Sequence, residues 1–345
     1  MGNGNSQITI KFDSSQSTFF TGDNVSGTVV LDLTDRTKID EVSLTMTGEI
    51  GYTTIRMVRI QNGQTERKTE YHDVRIYGTK IILAQPPHGQ DEIQLDPGQY
   101  KYQFNIQLPD KLPPSLHETD YPYVKYFLQV LVDKPWYKPD SRQRINFRIF
   151  PRVNLLQISN AMSVLRFNSQ NRKDIVLHGT LEKASFVPGE IITLNLNIHN
   201  QNRITIKHID VFLIQRYIVE TCRRRRILFR VTIPHIENIN DEQIKETCCI
   251  ITPTLNIPPT YEYHSTKTRT PVHVSIHYEL KFEVKVKGLF ADFDLTIPIT
   301  CGTDPQPREH ETETLTCLTP EPNDRFDTII DDDEELPPSY ESICD

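Results

Sequence analysis

Phe19-Phe20-Thr21-Gly22-Asp23 and Phe186-Val187-Pro188-Gly189-Glu190 are the stretches on which the fold is read. Both run aromatic, two intervening residues, glycine, acid, and they lie 167 residues apart. A tight turn between strands needs positive φ at one position, which glycine accepts without strain. A proline before it, as at Pro188, presets the preceding dihedral. The acid after it is expected to face solvent or cap a backbone N–H. Strands flank the first corner: Ile8, Ile10 and Phe12 alternate with polar residues before it, and Val25, Gly27, Val29 and Leu31 after it. Alternation of period two, broken by Gly, Asp and Asn clusters every ten or so residues, argues an antiparallel β-sandwich. No long segment carries a 3.6-residue period.

The same offset carries the rest of the pattern. Ile8 and Ile10 fall on Ile175 and Leu177, Val25 on Ile192, and Val29 on Leu196. Ile39, Val42, Leu44 and Met46 fall on Ile206, Ile209, Val211 and Leu213. Further on the offset shrinks, as a shorter loop requires. Leu112-Pro113-Pro114-Ser115 then answers to Ile257-Pro258-Pro259-Thr260, and Val124, Tyr126 and Leu128 to Ile276, Tyr278 and Leu280. Apolar coincidence alone says little, because any two strands alternate. A Gly-acid corner and a Pro-Pro corner in the same order say more. The expected fold is all-β: two tandem immunoglobulin-like antiparallel β-sandwiches over 8–150 and 173–301, a linker over 151–172, and a disordered acidic tail over 302–345.

Composition sets the class. The 345 residues suit about two domains, with 37% hydrophobic and 24% charged residues. No stretch approaches the roughly 20 apolar residues of a membrane span. No apolar run follows Met1-Gly2-Asn3-Gly4-Asn5-Ser6, so no secretory signal is read. Six cysteines form no CxxC pair and read as reduced cytosolic thiols. From Gly302 onward fourteen acids face only Arg308 and Arg325, a balance of −12. The whole chain carries −8, so the remaining 301 residues carry +4. That is the pattern of a folded body with an acidic arm.

The arm ends in Pro337-Pro338-Ser339-Tyr340, preceded by Asp331-Asp332-Asp333-Glu334-Glu335. Two prolines preset a polyproline II ridge that fits between aromatic rings, and the tyrosine supplies an apolar plug. This is a WW-domain ligand in a segment too polar to fold. The competing reading is an inert solvated arm. The acidic run keeps the arm extended by self-repulsion, or steers it to a basic partner. A second literal match, Pro258-Pro259-Thr260-Tyr261, is read against: its repeat partner Pro113-Pro114-Ser115-Leu116 has no tyrosine, so the Pro-Pro is a corner both domains share.

Other candidates are weaker. Gly2 and Ser6 match the N-myristoylation pattern, against a merely flexible terminus rich in small residues. One acyl chain would give a weak, reversible membrane contact. Arg223-Arg224-Arg225-Arg226 is a candidate for anionic cargo tails or lipid heads, against a solvated hairpin. Nucleic acid is not expected, since no aromatics interleave the run. Nor is catalysis. His117-Glu118-Thr119-Asp120-Tyr121 and His310-Glu311-Thr312-Glu313-Thr314 lack the second histidine of a zinc helix, and no GxSxG, P-loop or dinucleotide turn is present. Adjacent Cys248 and Cys249 on a strand point to opposite faces and do not act together. The eleven histidines show no ligand spacing, so no metal or cofactor is expected.

The ordered set of motifs resembles a known family. The Phe19 and Phe186 corners join Leu95-x-x-Gly98-x-Tyr100-x-Tyr102-x-Phe104, Leu108-Pro109, Leu112-Pro113-Pro114-Ser115 and the terminal Pro-Pro-x-Tyr. Together they are similar to the arrestin fold, and closest to arrestin-domain-containing proteins, the alpha-arrestins. The resemblance implies a non-enzymatic adaptor, cytoplasmic and transiently at the plasma membrane and endosomes. Such an adaptor links HECT-class ubiquitin ligases, through their WW domains, to receptors or transporters. This chain carries one tail motif where the family often has two. The alternative is a receptor-desensitising or endosomal sorting protein of the same fold, acting without a ligase.

Overall fold

The computed structural model describes residues 7–15, 17–59, 65–116, 120–172, 174–253, 257–265, 271–288, 292–303, 317–318 and 328–330. The first domain runs β1 (Gln7–Phe12), β2 (Thr18–Phe20), β3 (Asn24–Leu33), β4 (Thr37–Ile39), β5 (Glu41–Arg59), β6 (Thr65–Ala84), β7 (Ile93–Leu95), β8 (Gly98–Gln107), β9 (Tyr123–Asp133) and β10 (Ser141–Phe150). One sheet is ordered β1-β3-β8 and the other β2-β10-β9-β5-β6; β4 and β7 pair separately.

The second domain runs β11 (Leu165–Gln170), β12 (Ile175–Leu181), β13 (Ser185–Phe186), β14 (Ile191–Asn200), β15 (Ile206–Val219), β16 (Cys222–Thr232), β17 (Gln243–Ile251), β18 (Tyr261–Ser265), β19 (Val272–Val286) and β20 (Phe293–Cys301). Two short tail strands follow, β21 (Cys317–Leu318) and β22 (Thr328–Ile330). Its sheets are ordered β11-β12-β14-β17-β21 and β13-β20-β19-β15-β16-β22, with β18 beside β19. Without β11, β18, β21 and β22 the orders duplicate those of the first domain. The chain is therefore the tandem all-β sandwich that the repeat predicts.

Alternation explains which side chains meet. Val25, Val29 and Leu31 on β3, and Leu194, Leu196 and Ile198 on β14, are buried against the facing sheets. Each such side chain contributes about 1.5–3 kcal/mol on leaving water.

The Gly-acid corners do the same work twice. Gly22 and Gly189 have φ of 82° and 83°. Asp23 Oδ2 accepts from Phe20 N at 3.2 Å, and Glu190 Oε2 from Val187 N at 3.0 Å. The acid thus caps a backbone N–H, and it also meets a cation. Asp23 pairs with Arg152 at 2.8 Å, and Glu190 with Lys183 at 2.5 Å. Each corner hands the chain from one sheet to the other, so β2 and β13 lie parallel to β10 and β20. Those short edge pairings depart from a wholly antiparallel sandwich.

The stretch expected as a linker, 151–172, contains β11, which pairs antiparallel with β12. Leu165 and Phe167 alternate with Arg166 and Asn168, and the Phe167 ring lies over Gly179. A Cβ at Gly179 would come within 2.0 Å of that ring, so the close approach needs glycine. The remainder of the stretch holds a single 3-10 turn, Leu155–Gln157, capped by Asn154. Across the domains, Cys222 Sγ donates to Thr53 O at 3.1 Å, and Thr221 Oγ1 to the same oxygen at 3.3 Å.

Candidate functional site

Pro337, Pro338, Ser339 and Tyr340 lie outside the described residues, as do Gly2 and the acidic run Asp331–Glu335. Among the described residues, the last strand of the tail to meet the body is β22. β22 pairs antiparallel with β16, placing Arg224 opposite Ile330, Arg225 opposite Ile329 and Arg226 opposite Thr328. Pro337 follows Ile330 by seven residues, a separation of at most about 25 Å along the chain.

The arginine run is part of β16 and not a hairpin loop. The two-residue turn is Glu220-Thr221, closed by the Val219–Cys222 pair, with Glu220 in the left-handed region at φ 54°. Because side chains alternate along a strand, the four arginines divide between two faces. Arg224 and Arg226 stand opposite Tyr217 and Gln215, which are both buried. Burial lowers the pKa of Arg226 below the ordinary arginine value, with Arg148 of the first domain adding to that shift. Burial in turn pushes the Tyr217 phenol up to about 12. Arg223 and Arg225 belong to the other face, and Arg223 is exposed. The run therefore does not make one cationic patch.

The inner Pro-Pro-x-Tyr is a corner built from the core. Pro258 and Pro259 are buried. Tyr278 Oη donates to Pro258 O, and accepts from Gln215 Nε2 at 2.7 Å. Thr260 N donates to Cys301 O, and Cys301 N to Thr260 Oγ1, each at 2.9 Å. The first domain repeats the device. Tyr126 Oη donates to Pro113 O at 2.6 Å, Ser115 N to Ile149 O at 2.9 Å, and Ile149 N to Ser115 Oγ at 3.0 Å. Burial holds both phenols well above the usual tyrosine pKa. The shared corner expected from the sequence is present in both domains.

Cys222, Cys248, Cys249 and Cys301 are free and buried. Burial pushes the Cys248 thiol up to about 12, which keeps it protonated and poorly nucleophilic at neutral pH. One further group comes together through strand register alone. Glu262, His264 and His273 place one ligand atom each within 4.8 Å of the others. The sequence gives no spacing for it, since one histidine lies on β18 and the other on β19. The readable signal is a Glu-x-His strand followed, across a loop, by a strand that opens on histidine.

Two sandwiches of duplicated strand order, each closed by a Gly-acid corner and a tyrosine-anchored Pro-Pro corner, are arrestin domains. The profile of the arrestin (or S-antigen) N-terminal domain matches residues 8–156, and that of the C-terminal domain matches residues 171–306. The chain belongs to the arrestin family, as an arrestin-domain-containing, alpha-arrestin-like protein. It is similar to human "Arrestin domain-containing protein 4", 20% identical over 307 residues, spanning 85% of this chain and 70% of that protein.

Proposed function

We propose that this protein is a non-enzymatic arrestin-like adaptor whose tail recruits a WW-bearing HECT ubiquitin ligase to membrane receptors or transporters. The body holds the cargo, the Pro337-Pro338-Ser339-Tyr340 peptide holds the ligase, and ubiquitin transfer follows from raised effective concentration. The observation that carries this reading is the pairing of β22 with β16. It tethers the chain at Ile330, seven residues before Pro337, so chain length alone limits Pro337 to about 25 Å from that edge. Family membership supports the adaptor role, and the buried, high-pKa Cys248 removes the best candidate for thiol chemistry.

Among the described residues no helix is long and apolar enough to cross a membrane. In this reading the protein works from the cytoplasm and visits the plasma membrane and endosomes, with Gly2 as its lipidation point. Arg223 is the member of the arginine run best placed for an anionic contact, because it is exposed and on the outer face of β16. The test is a pull-down of HECT ligases from cells by the full chain and by Tyr340→Ala. The variant is expected to lose the ligase while keeping its thermal melt and its cargo. Undiminished ligase recovery by the variant would overturn the proposal.

A further inference from the structure

We propose that Glu262, His264 and His273 form a surface site for a divalent transition metal ion, zinc being the ion their chemistry fits best. His264 and His273 are directly opposed in the β18–β19 pairing. Their rings stack with centroids 4.3 Å apart and planes 8° from parallel. Glu262 precedes His264 by two residues, so it shares its face of the strand. Its Oε1 lies 3.5 Å from Nε2 of His264 and 3.5 Å from Nε2 of His273. Tetrahedral zinc with ligands at about 2.0–2.1 Å has ligand–ligand edges of about 3.3–3.4 Å. Both carboxylate–imidazole separations are thus within about 0.2 Å of such an edge, and all three ligand atoms lie within 4.8 Å of one another.

Two observations set this group apart from an ordinary surface ion pair. His273 Nε2 is shielded from solvent and has no hydrogen-bond partner, although an imidazole nitrogen normally finds one. The His273 backbone is also clamped. Its N–H donates to the Glu220 carboxylate, and its carbonyl accepts from Glu220 N at 2.9 Å. The ring is therefore presented from a fixed point on the strand, which is what a preorganised ligand needs. Two imidazoles and one carboxylate suit zinc, copper or nickel and not magnesium or calcium, which prefer all-oxygen shells. The side chains of Glu262 and His264 are 61% and 64% exposed, which leaves the fourth position open to water. A bound ion would staple β18, the edge strand that leaves the Pro258-Pro259 corner, onto β19.

The experiment uses the full chain, freed of metal by chelator and dialysis, titrated with ZnCl2 and assayed for bound zinc. Wild type is expected to hold one zinc more per chain than His264→Ala and His273→Ala. Glu262→Gln should bind with affinity at least about tenfold weaker. His264 is exposed, so His264→Ala should keep its far-UV spectrum and melt, and it alone decides the matter if His273→Ala fails to fold. Zinc should also slow amide exchange over Tyr261–Ser265 in wild type and not in His264→Ala. Co2+ substituted at the site should give tetrahedral d–d absorption without a thiolate charge-transfer band. Equal zinc content and affinity in wild type and His264→Ala would overturn the proposal, as would a thiolate band or no binding by wild type.

Discussion

The chain carries Pro-Pro-x-Tyr twice, and the structure makes a quantitative prediction about which copy can bind. For a WW domain to read Pro258-Pro259-Thr260-Tyr261, the corner must leave the body. That breaks the Tyr278–Pro258 bond and both bonds between Thr260 and Cys301. The proline carbonyl and the threonine would regain water. The Tyr278 O–H, which keeps only the bond it accepts from Gln215, and the Cys301 backbone would stay inside with their donors or acceptors unmet, at about 1–3 kcal/mol for each of the two sites. Uncovering Pro258 and Pro259, both buried, adds to this. A total penalty of about 3–6 kcal/mol corresponds to a loss of roughly 10²- to 10⁴-fold in affinity. In the proposed function, binding is assigned to the tail copy. The assay is calorimetric or anisotropy titration of isolated WW modules with the full chain, Tyr340→Ala and Tyr261→Ala. Tyr340→Ala should give no measurable binding, and Tyr261→Ala should match wild type. Binding that survives Tyr340→Ala and disappears in Tyr261→Ala would refute the reasoning.

Three more outcomes are expected. Tyr278→Phe orphans two buried groups, Pro258 O and Gln215 Nε2, whereas Tyr126→Phe orphans only Pro113 O. At about 1–3 kcal/mol per orphan, and roughly 3–4 °C per kcal/mol for a domain of this size, calorimetry should show the larger fall in melting temperature for Tyr278→Phe. The sign of the alkaline dependence follows from acids held neutral: Cys248 is raised from 9.0 to about 12, and Tyr126 and Tyr278 lie well above 10.0. Their contribution is complete below the unfolded values and is lost as pH rises, so denaturant midpoints should be flat up to about pH 9 and decline above it. Truncation after Asp327 removes β22 and leaves β16 as a bare edge, so amide exchange over Arg223–Ile227 should quicken; unchanged exchange would argue against the pairing.

What could be read from sequence was local chemistry repeated at a fixed distance. Gly22 and Gly189 need positive φ, Asp23 and Glu190 cap the same N–H two residues before the glycine, and the Pro-Pro corners recur after them. Those constraints act over a few residues, so they survive as words in the chain. What escaped was imposed from a distance. β5 and β6 extend through Arg59 and from Thr65, far beyond their apolar alternation, because each pairs with the other and not with a core. Arg223–Arg226 is a strand because β15 supplies its hydrogen bonds, whereas four consecutive cations have no alternation to display. β21 and β22 are two and three residues long and exist only as additions to existing edges. The histidine–glutamate group depends on the register of two strands, which no spacing along one strand records.

The duplicated tyrosine corner also shows why a short motif has to be read through register before it is read as a ligand. Tyr126 pairs with Gly48 across β5 and β9, and Tyr278 pairs with Gln215 across β15 and β19. Gly48 and Gln215 are themselves equivalent at the 167-residue offset. In the first domain the tyrosine ring lies so close to Gly48 that a Cβ there would come within 2.6 Å of it. In the second domain a glutamine fills the same position and hydrogen-bonds the phenol. The side-chain solutions differ, yet the phenol reaches the carbonyl of the first proline in both. The element common to the two domains is therefore the anchored Pro-Pro bend, and Tyr261, which has Leu116 as its counterpart, is not part of it. A motif whose prolines are explained by the fold in a domain that lacks the tyrosine owes its match to the corner, and that leaves Tyr340 as the residue whose removal tests recruitment.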